Sequence, residues 1–341
     1  MLRSVDARPL TGARWEGEDS VAPGATIMSV GTALPAGRLT TAELAQRFGV
    51  TDEWILSRTG IRERPRAGAD ERLADYAARA GALALERAGV AAAELDLVIV
   101  ATMTPDELTP NTAPLVAHAL GAQGAGAFDV GAACTGFLTG LSLGAAQIES
   151  RRARRVLLVG ADFITRITDY DDVRSAPLFA DGAGAVVLGD GTAGGGQIGP
   201  VVLGSDGSHG ETIIATHEER KLHLDGPEVF RNAVARMRDV TLAAVARAGL
   251  ELEDIDLFVY HQANARITRA LSERLGVAPG RMVDCIESLG NSSAATLPLA
   301  LAEAERDGRL RPGARVLLSA FGAGFTWGGG VIEWGGDQLD A

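Results

Sequence analysis

The sequence predicts an α/β fold made of two similar halves. Segments with helical spacing alternate with short apolar strands, an order that favours layered α/β architecture with largely parallel sheets. The strand LVIVA is apolar at every position, which is typical of strands covered on both faces. The Asp-Leu pair at 96–97 recurs at 256–257. The RVLL segment at 155–158 recurs at 315–318, again 160 residues later, so the chain is predicted to contain an internal duplication.

The two halves show the same order of elements. The first half is predicted to contain a helix, a strand, a second strand, a small-residue helix, the RVLL strand and a glycine-rich return strand: 75–89, 95–102, 127–130, 136–150, 155–158 and 181–188. A further helix is predicted between the first two strands of each half. The second half repeats this order at 232–249, 255–261, 281–284, 293–306, 315–318 and 322–334. Two copies in one chain predict a pseudo-symmetric pair around a shared centre.

These landmarks set the predicted organisation of the chain. Residues 1–24 form an N-terminal tail in which acidic residues interrupt any apolar run, so a secretory signal is not expected. The first half spans 25–190, and it carries a candidate nucleophilic cysteine. A glycine-rich linker at 191–197 leads to the second half at 198–341, which carries a candidate histidine and asparagine.

Composition excludes several classes of protein. The chain has 341 residues, of which 46% are hydrophobic, and no window approaches the roughly 18 apolar residues of a membrane span. A formal net charge of −12 argues against binding to nucleic acid or to anionic membranes. Two cysteines cannot build a disulfide framework, so a reducing, cytoplasmic location is expected. The remaining histidines show no metal-ligand spacing, and no metal is expected: His118, His209, His217 and His223.

Cys134 is the sharpest candidate for chemistry. It follows the strand FDV, where an apolar helix is predicted to begin. The N-H groups and dipole of a helix N-terminus stabilise a thiolate and lower the pKa of the thiol. The sequence therefore predicts a nucleophile, although a buried structural cysteine in a small-residue turn remains the alternative. Cys285 lies in an ordinary strand-end context and is not favoured.

Three further segments carry polar groups or exposed backbone. His261 stands where a second-half strand ends, and the carboxyl ends of such strands face the ligand crevice of α/β sheets. Asn291 lies in a polar turn that opens a helix. Glycines at 322–328 allow backbone N-H groups to approach a ligand. Each feature has an ordinary alternative: a structural histidine, a helix cap or a flexible loop.

Taken together, the motifs resemble those of the β-ketoacyl-acyl-carrier-protein synthase III family of the thiolase superfamily, over residues 26–334. Six segments carry the resemblance, in this order: TDEWILSRTGIRER (51–64), AACTGF (132–137), FADGAGAVVL (179–188), HQAN (261–264), GNSSAA (290–295) and FGAGFTWG (321–328). The resemblance implies a thiolase-like duplicated αβαβα layered fold and a homodimer. It also implies no cofactor, because the thioesters of CoA and of phosphopantetheine are the substrates.

The resemblance also implies a mechanism. Cys134 takes an acyl starter from acyl-CoA as a thioester, and malonyl-acyl-carrier-protein then loses CO2 and condenses with it to initiate fatty acid synthesis. His261 and Asn291 resemble the pair that hydrogen-bonds the enolate oxygen. Backbone N-H groups of Cys134 and Ala323 resemble an oxyanion hole, and Phe321 resembles an aromatic residue near the nucleophile.

Binding residues are implied in the same way. Trp54, Arg58 and Arg174 resemble residues that hold the adenine and phosphates of CoA. Thr109 resembles a position that lines the acyl channel from the partner subunit. A small side chain there predicts a starter that is longer, branched or aromatic. The candidates for docking the acyl carrier protein are Arg231, Arg266, Arg269 and Arg274.

Other functions remain open at this point. A priming ketosynthase or acyltransferase of a specialised polyketide pathway would use the same Cys134 thioester with a different acceptor. A plant-type chalcone synthase shares the Cys, His and Asn but is usually longer, and a non-catalytic scaffold with the same fold is the alternative from another class. Asn291 favours carbon–carbon bond formation over simple acyl transfer. The starter chain, and the choice between malonyl-acyl-carrier-protein and malonyl-CoA, do not follow from the sequence.

Overall fold

The structure is a computed structural model that describes residues 24–191 and 196–335. The predicted tail, apart from its last residue, lies outside the described residues, as do residues 192–195 of the predicted linker. Within the described ranges the strands are β1 (Ala25–Ala33), β2 (Arg38–Thr40), β3 (Glu63–Pro65), β4 (Leu97–Ala101), β5 (Gly126–Val130), β6 (Val156–Phe163), β7 (Asp181–Asp190), β8 (Gln197–Ile198), β9 (Val202–Ser205), β10 (Ile213–Ala215), β11 (Leu222–Leu224), β12 (Leu257–Tyr260), β13 (Arg315–Gly322) and β14 (Thr326–Glu333). The α-helices are α1 (Thr41–Phe48), α2 (Asp52–Thr59), α3 (Leu73–Ala88), α4 (Thr112–Leu120), α5 (Gly136–Glu149), α6 (Gly226–Arg247), α7 (Ala265–Leu275), α8 (Ile286–Leu289) and α9 (Thr296–Arg306).

Two mixed sheets form the framework. The first has the strand order β1-β7-β6-β4-β5, in which β4 is parallel to β5 and β6, while β7 is antiparallel to β6 and β1. In the second, β12 and β13 are parallel, β13 and β14 are antiparallel, and β14 also pairs with β8 and β9. The expectation of largely parallel sheets is therefore wrong. The return strands β7 and β14 run back beside the strands they follow, and that direction makes the pairing antiparallel.

One predicted strand is reduced to an isolated bridge. Residues 281–284 pair with the second sheet only at Met282, opposite Phe258, where the Val283 N-H also donates to the Phe258 carbonyl at 3.0 Å. A 3-10 turn at Pro279–Arg281 precedes this segment and α8 follows it, so too few extended residues remain for a ladder.

Helices cover the two sheets in five layers. Helices α3 and α4 lie on the outer face of the first sheet, α5 and α9 lie between the sheets, and α6 and α7 cover the second sheet. The helix α3 packs very close to β1, because a Cβ atom at Gly31 would lie 2.4 Å from the carbonyl oxygen of Ala80. The predicted duplicated αβαβα fold is confirmed.

The central helices join the two halves through one apolar core. Leu138 and Leu141 of α5 and Leu299 of α9 are almost fully buried, in a cluster that includes Ile99 of the first sheet and Leu318 of the second. Burying a leucine or isoleucine side chain contributes about 1.5–3 kcal/mol. This shared core holds the carboxyl ends of β5 and β6 beside the ends of β12 and β13. The division into halves at residues 191–197 stays a prediction.

None of the helices in the described ranges is both long enough and apolar enough to cross a membrane.

Candidate active site

A cavity of about 1010 Å³ opens where the two halves meet. Its wall includes Cys134 from the first half and His261, Asn291, Phe321 and Ala323 from the second. The fold thus brings together side chains that are far apart in the sequence. The Phe321 ring is buried and packs against Phe325, with 4.7 Å between ring centroids, so it adds an apolar surface to the cavity lining.

Cys134 sits in a 3-10 turn at Ala133–Thr135, just before α5 begins at Gly136. The turn is tight, and Ala133 adopts a left-handed backbone with φ of 45°. Strand β13 approaches it closely, because a Cβ atom at Gly322 would lie 2.9 Å from the Cys134 nitrogen. The α-helix therefore starts two residues after the cysteine, at the first residue of the predicted helix 136–150, and the cysteine itself lies in the preceding 3-10 turn.

The surroundings of Cys134 keep its thiol protonated. Burial raises the pKa of Cys134 to about 11; a hydrogen bond from the Ser293 side chain opposes this increase, and the charge of Asp162 adds to it. The expectation of a lowered pKa at this helix N-terminus is therefore wrong, since removal of the sulfur from water is the largest effect on this thiol. A thiol in this state needs a base before it can attack.

His261 lies beyond the end of β12 and is 2% exposed. Its backbone N-H donates to the Ser319 carbonyl at 2.8 Å, which fixes the residue against β13. Burial lowers the pKa of His261 to about 3, so the ring is neutral at pH 7. Nδ1 lies 2.6 Å from Thr296 Oγ1, and Nε2 is the nitrogen left for the cavity. A neutral imidazole in the lining of the same cavity has a free lone pair that can accept the thiol proton, and the resulting thiolate and imidazolium would stabilise each other.

Asn291 is held by three hydrogen bonds. Its backbone N-H donates to the Leu178 carbonyl and its carbonyl accepts from the Ala180 N-H, both at 2.9 Å. Its side-chain Oδ1 accepts from the Ser293 N-H at 3.0 Å. Because the oxygen of the amide is engaged, Nδ2 is the atom that the side chain presents to the cavity. The residue is therefore more than a cap for the helix that follows.

The predicted CoA residues lie at the cavity wall. Trp54 and Arg58 both come from α2, and the guanidinium carbon of Arg58 lies 4.1 Å from the centre of a Trp54 ring. Arg174 also lines the cavity, and its Nε donates to Asp172 Oδ1 at 2.9 Å. One stacked aromatic surface and two guanidinium groups thus lie on the same wall as a negatively charged Asp172.

The predicted docking arginines divide into two pairs. Arg231 and Arg266 line the cavity; Arg231 pairs with Glu228, and the guanidinium of Arg266 lies 5.4 Å from the Phe230 ring centre. Arg269 and Arg274 are exposed on α7 and are not among the cavity-lining residues of the described chain. Thr109 is likewise exposed and outside this lining, so the chain's own cavity does not use it.

Sequence reasoning missed a buried carboxylate beside the cavity. Asp162, at the end of β6, is fully buried and accepts hydrogen bonds from the Met103 N-H at 2.8 Å, Thr104 Oγ1 at 3.0 Å and the Ala294 N-H at 3.2 Å. Burial raises the pKa of Asp162, and the donors oppose that increase. The sequence does contain a signal for this residue, because Asp162 is an acidic residue at the carboxyl end of an apolar strand. Asp162 ties the loop after β4 to the turn that follows Asn291.

Ser293 and Thr296 were also missed, because a serine and a threonine in a helix-opening turn resemble ordinary capping residues. Within the described residues there is no cluster of three or more histidine, cysteine or acidic side chains that could hold a metal ion.

Comparisons with known proteins agree on one family. The profile of 3-oxoacyl-(acyl-carrier-protein) synthase III matches residues 128–207, and the profile of its C-terminal part matches residues 245–334. The chain is 44% identical over 318 residues to β-ketoacyl-(acyl-carrier-protein) synthase III of Rhodospirillum rubrum, covering 90% of this chain and 98% of that protein. It is 42% identical over 316 residues to synthase III 2 of Streptomyces coelicolor, covering 92% and 95%.

Solved structures show the same relationship. The synthase III of Thermus thermophilus superposes with a TM-score of 0.87 at 41% identity, covering 91% of this chain and 99% of that one. The priming β-ketosynthase of the R1128 polyketide biosynthetic pathway superposes with a TM-score of 0.89 at 37% identity, covering 94% and 99%.

Proposed function

Because the chain belongs to the 3-oxoacyl-(acyl-carrier-protein) synthase III family of the thiolase superfamily, we propose that Cys134 carries the acyl starter during its reaction. The protein is a β-ketoacyl-acyl-carrier-protein synthase III, a condensing acyltransferase of fatty acid biosynthesis. The observation that supports the role of Cys134 is its convergence with His261 and Asn291 on one cavity.

The first half-reaction loads the starter. The protonated Cys134 thiol gives its proton to the neutral His261 ring, and the thiolate attacks the thioester carbonyl of acyl-CoA. The backbone N-H groups of Cys134 and Ala323 stabilise the tetrahedral oxyanion. Collapse of this intermediate breaks the bond to the CoA sulfur, which leaves with the proton. The acyl group then remains on Cys134 as a thioester.

The second half-reaction forms the carbon–carbon bond. The malonyl group, held on acyl carrier protein, loses CO2, and the resulting enolate attacks the acyl carbonyl while the Cys134 sulfur leaves. Asn291 Nδ2 and His261 Nε2 hydrogen-bond the enolate oxygen. Loss of one such preorganised donor costs about 100- to 1,000-fold in rate. Phe321 keeps this part of the cavity apolar and strengthens these interactions.

Substrates enter through the mouth of the cavity. Trp54 and Arg58 hold the adenine of CoA. Arg174 gives up one of its hydrogen bonds to Asp172 and donates to a phosphate of CoA instead. The acidic carrier protein docks on the basic residues around the mouth and on α7, which are Arg231, Arg266, Arg269 and Arg274. Because arginine pairs well with carboxylates and phosphates, these groups suit both substrates. No further cofactor is part of this scheme.

The active enzyme is proposed to be a homodimer. Strand β5 is the edge of the first sheet, and its Phe128 is 38% exposed, as is Leu143 of α5 at 41%. A second β5 pairing with this edge would extend the sheet and cover these apolar side chains. In such a dimer Thr109 faces the partner's acyl channel, where its small side chain admits a starter larger than acetyl. A cytoplasmic location keeps Cys134 reduced, and the net charge of −12 favours no nucleic-acid or membrane partner.

Intact mass spectrometry across a panel of acyl-CoA thioesters tests this proposal. We expect a mass increase of one acyl group on the wild type and none on Cys134→Ala, followed by its discharge when malonyl-acyl-carrier-protein is added. A Cys134→Ala protein that still becomes acylated would refute the role of this sulfur. Uptake of acetyl-CoA alone, with no larger starter accepted, would refute the assignment of Thr109.

A priming ketosynthase of a polyketide pathway is the second candidate. The likeness to the R1128 priming enzyme favours it, as does the small Thr109. The same experiment separates the two, because extension on the carrier protein of fatty acid synthesis supports the first function. Extension only on a dedicated polyketide carrier protein supports the second.

A further inference from the structure

The Thr296 hydroxyl lies between two polar groups in a buried position. Its Oγ1 donates to the Ser293 carbonyl at 2.9 Å, and the same oxygen lies 2.6 Å from Nδ1 of His261. Thr296 is 2% exposed, as are His261 and Ser293. Water therefore does not compete for these contacts, and the hydroxyl and the ring must satisfy each other.

A threonine hydroxyl has one proton, which decides the direction of both hydrogen bonds. Since that proton is directed to the Ser293 carbonyl, Oγ1 has only lone pairs to offer to His261. The contact at Nδ1 is then a hydrogen bond only if Nδ1 carries the ring proton. In the opposite tautomer Nδ1 carries no proton. If the hydroxyl proton then turned towards Nδ1, Thr296 Oγ1 and the Ser293 carbonyl oxygen would face each other at 2.9 Å with no proton between them. If the hydroxyl proton stayed directed at the carbonyl, lone pairs of Oγ1 and Nδ1 would face each other at 2.6 Å, and either arrangement is unfavourable.

We propose that Thr296 is a positioning residue that fixes His261 as the Nδ1-H tautomer, so that Nε2 is the atom that takes the Cys134 proton. This inference rests on the proposed function of Cys134. It assigns a role to a residue outside the catalytic group of Cys134, His261 and Asn291. The neutral ring that burial enforces is what makes the choice of tautomer matter.

The proton count of the two half-reactions fits this tautomer. In acylation the Cys134 proton moves to Nε2 and then to the departing CoA sulfur, so His261 returns to its starting form. Condensation consumes one proton, because the malonyl carboxylate enters as an anion and leaves as neutral CO2. A proton from cavity water is taken up at Nε2 as the anionic malonyl group binds, because its negative charge offsets the desolvation that keeps the ring neutral in the free enzyme. Nε2 then donates to the enolate oxygen, and the proton ends on the Cys134 sulfur. Throughout both half-reactions Nδ1 keeps its proton and donates it in a hydrogen bond to Thr296 Oγ1.

The tautomer can be read directly in the folded enzyme. The chain has five histidines, and labelling them with ¹⁵N allows long-range ¹H–¹⁵N spectra to distinguish protonated from unprotonated ring nitrogens. The signals that disappear in His261→Ala belong to His261. In the wild type at pH 7 we expect a protonated Nδ1 and an unprotonated Nε2. A protonated Nε2 with an unprotonated Nδ1 would overturn the proposal, whatever the enzyme's activity.

Two variants of Thr296 connect the tautomer to the reaction. Thr296→Val keeps the shape of the side chain but removes the acceptor, so we expect a shift to the Nε2-H form. Thr296→Ser keeps the hydroxyl and should retain the wild-type spectrum. Because Nε2 is then protonated in most molecules and cannot accept the thiol proton, acylation of the valine variant should slow by about 10- to 100-fold. This is at or below the lower limit of the roughly 100- to 10,000-fold that a general base contributes, because a minority of molecules keep the reactive tautomer. Condensation starting from pre-acylated enzyme should fall by less than about threefold, because Nε2-H is already a donor.

These outcomes separate the inference from the function on which it rests. A folded valine variant that acylates within about twofold of the wild type, or a serine variant as slow as valine, would overturn the positioning role. If the valine variant does not fold, the wild-type and serine spectra decide the tautomer. If Cys134 accepts no acyl group from any thioester, the proposed function fails, whereas an acylated wild type with the Nε2-H tautomer refutes the inference alone.

Discussion

Replacing Gly322 with alanine should displace Cys134, the proposed nucleophile, without removing any polar group. An added Cβ atom would lie 2.9 Å from the Cys134 nitrogen and 3.1 Å from its Cβ, whereas ordinary contacts are 3.4–4 Å. The neighbouring atoms belong to the backbone of a tight turn, so they cannot move aside as a flexible side chain would. Strand β13 and the turn that carries Cys134 must therefore separate by about half an ångström or more.

The expected consequence has two parts. Overpacking of this kind costs about 1–3 kcal/mol of the free energy of unfolding. Displacement of a reacting atom by 1 Å can cost about 100-fold in rate, so we expect acylation of Gly322→Ala to slow by about 10- to 100-fold. The acylation rate is measured by quenching single turnovers with acyl-CoA and weighing the intact protein. Chemical denaturation measures the loss of stability.

Gly131→Ala is the matched control. Gly131 precedes Cys134 by three residues on the same loop, has no atom within 4 Å of an added Cβ, and does not adopt a positive φ. It should acylate at a rate close to that of the wild type. If Gly322→Ala acylates as fast as Gly131→Ala, the close approach of β13 does not position the nucleophile.

Two further predictions concern the other cavity residues. Asn291→Ala should acylate normally but condense about 100- to 1,000-fold more slowly, because only the donor to the enolate is lost; mass spectra of the acylated variant before and after malonyl-acyl-carrier-protein measure both steps, and normal condensation would contradict the role of Asn291. His261 should make the fold sensitive to acid, because its pKa is about 6.5 in the unfolded chain and about 3 in the folded one, so stability is lost as the pH falls below 6.5. At pH 5 the free energy of unfolding should be lower by about 2 kcal/mol because of this residue. Between pH 7 and pH 5, chemical denaturation should show a smaller loss of unfolding free energy for His261→Gln than for the wild type. An equal loss in both proteins would contradict the burial of a neutral ring.

The sequence was most informative where a pattern is local or repeated. Helical spacing placed α3 at 75–89, where it spans Leu73–Ala88, and strand composition placed β4 at 95–102, where it spans Leu97–Ala101. Two sequence pairs separated by the same 160 residues predicted the duplication, because both copies keep the same residues at corresponding strands. Strand direction was beyond these signals, since it depends on how a return segment packs and not on its composition.

The chemistry of Cys134 shows the limit of local reasoning. The strand-to-helix position was visible in the sequence, but the pKa of a thiol also depends on what surrounds it. Here burial removes the sulfur from water and the charge of Asp162 adds to the increase, while a hydrogen bond from Ser293 opposes it. A dipole argument that omits these residues gives the wrong sign. The sequence therefore proposed Cys134 as a nucleophile on an argument about its pKa that the folded environment reverses.

Comparison of the two halves shows that two equivalent turns differ in what faces them. Ala133 and Ser293, 160 residues apart, both adopt a left-handed backbone, with φ of 45° and 53°, so each half contains the same strained turn. The next N-H groups are those of Cys134 and Ala294. At the end of the facing strand the first turn meets Gly322, which leaves space beside the Cys134 N-H. The second turn meets Asp162 at the corresponding position, 160 residues earlier, and the carboxylate accepts the Ala294 N-H at 3.2 Å. In one half, therefore, a buried carboxylate occupies the place that the proposed oxyanion would take in the other, and the difference between glycine and aspartate at this position leaves only the Cys134 N-H open to a ligand among these two.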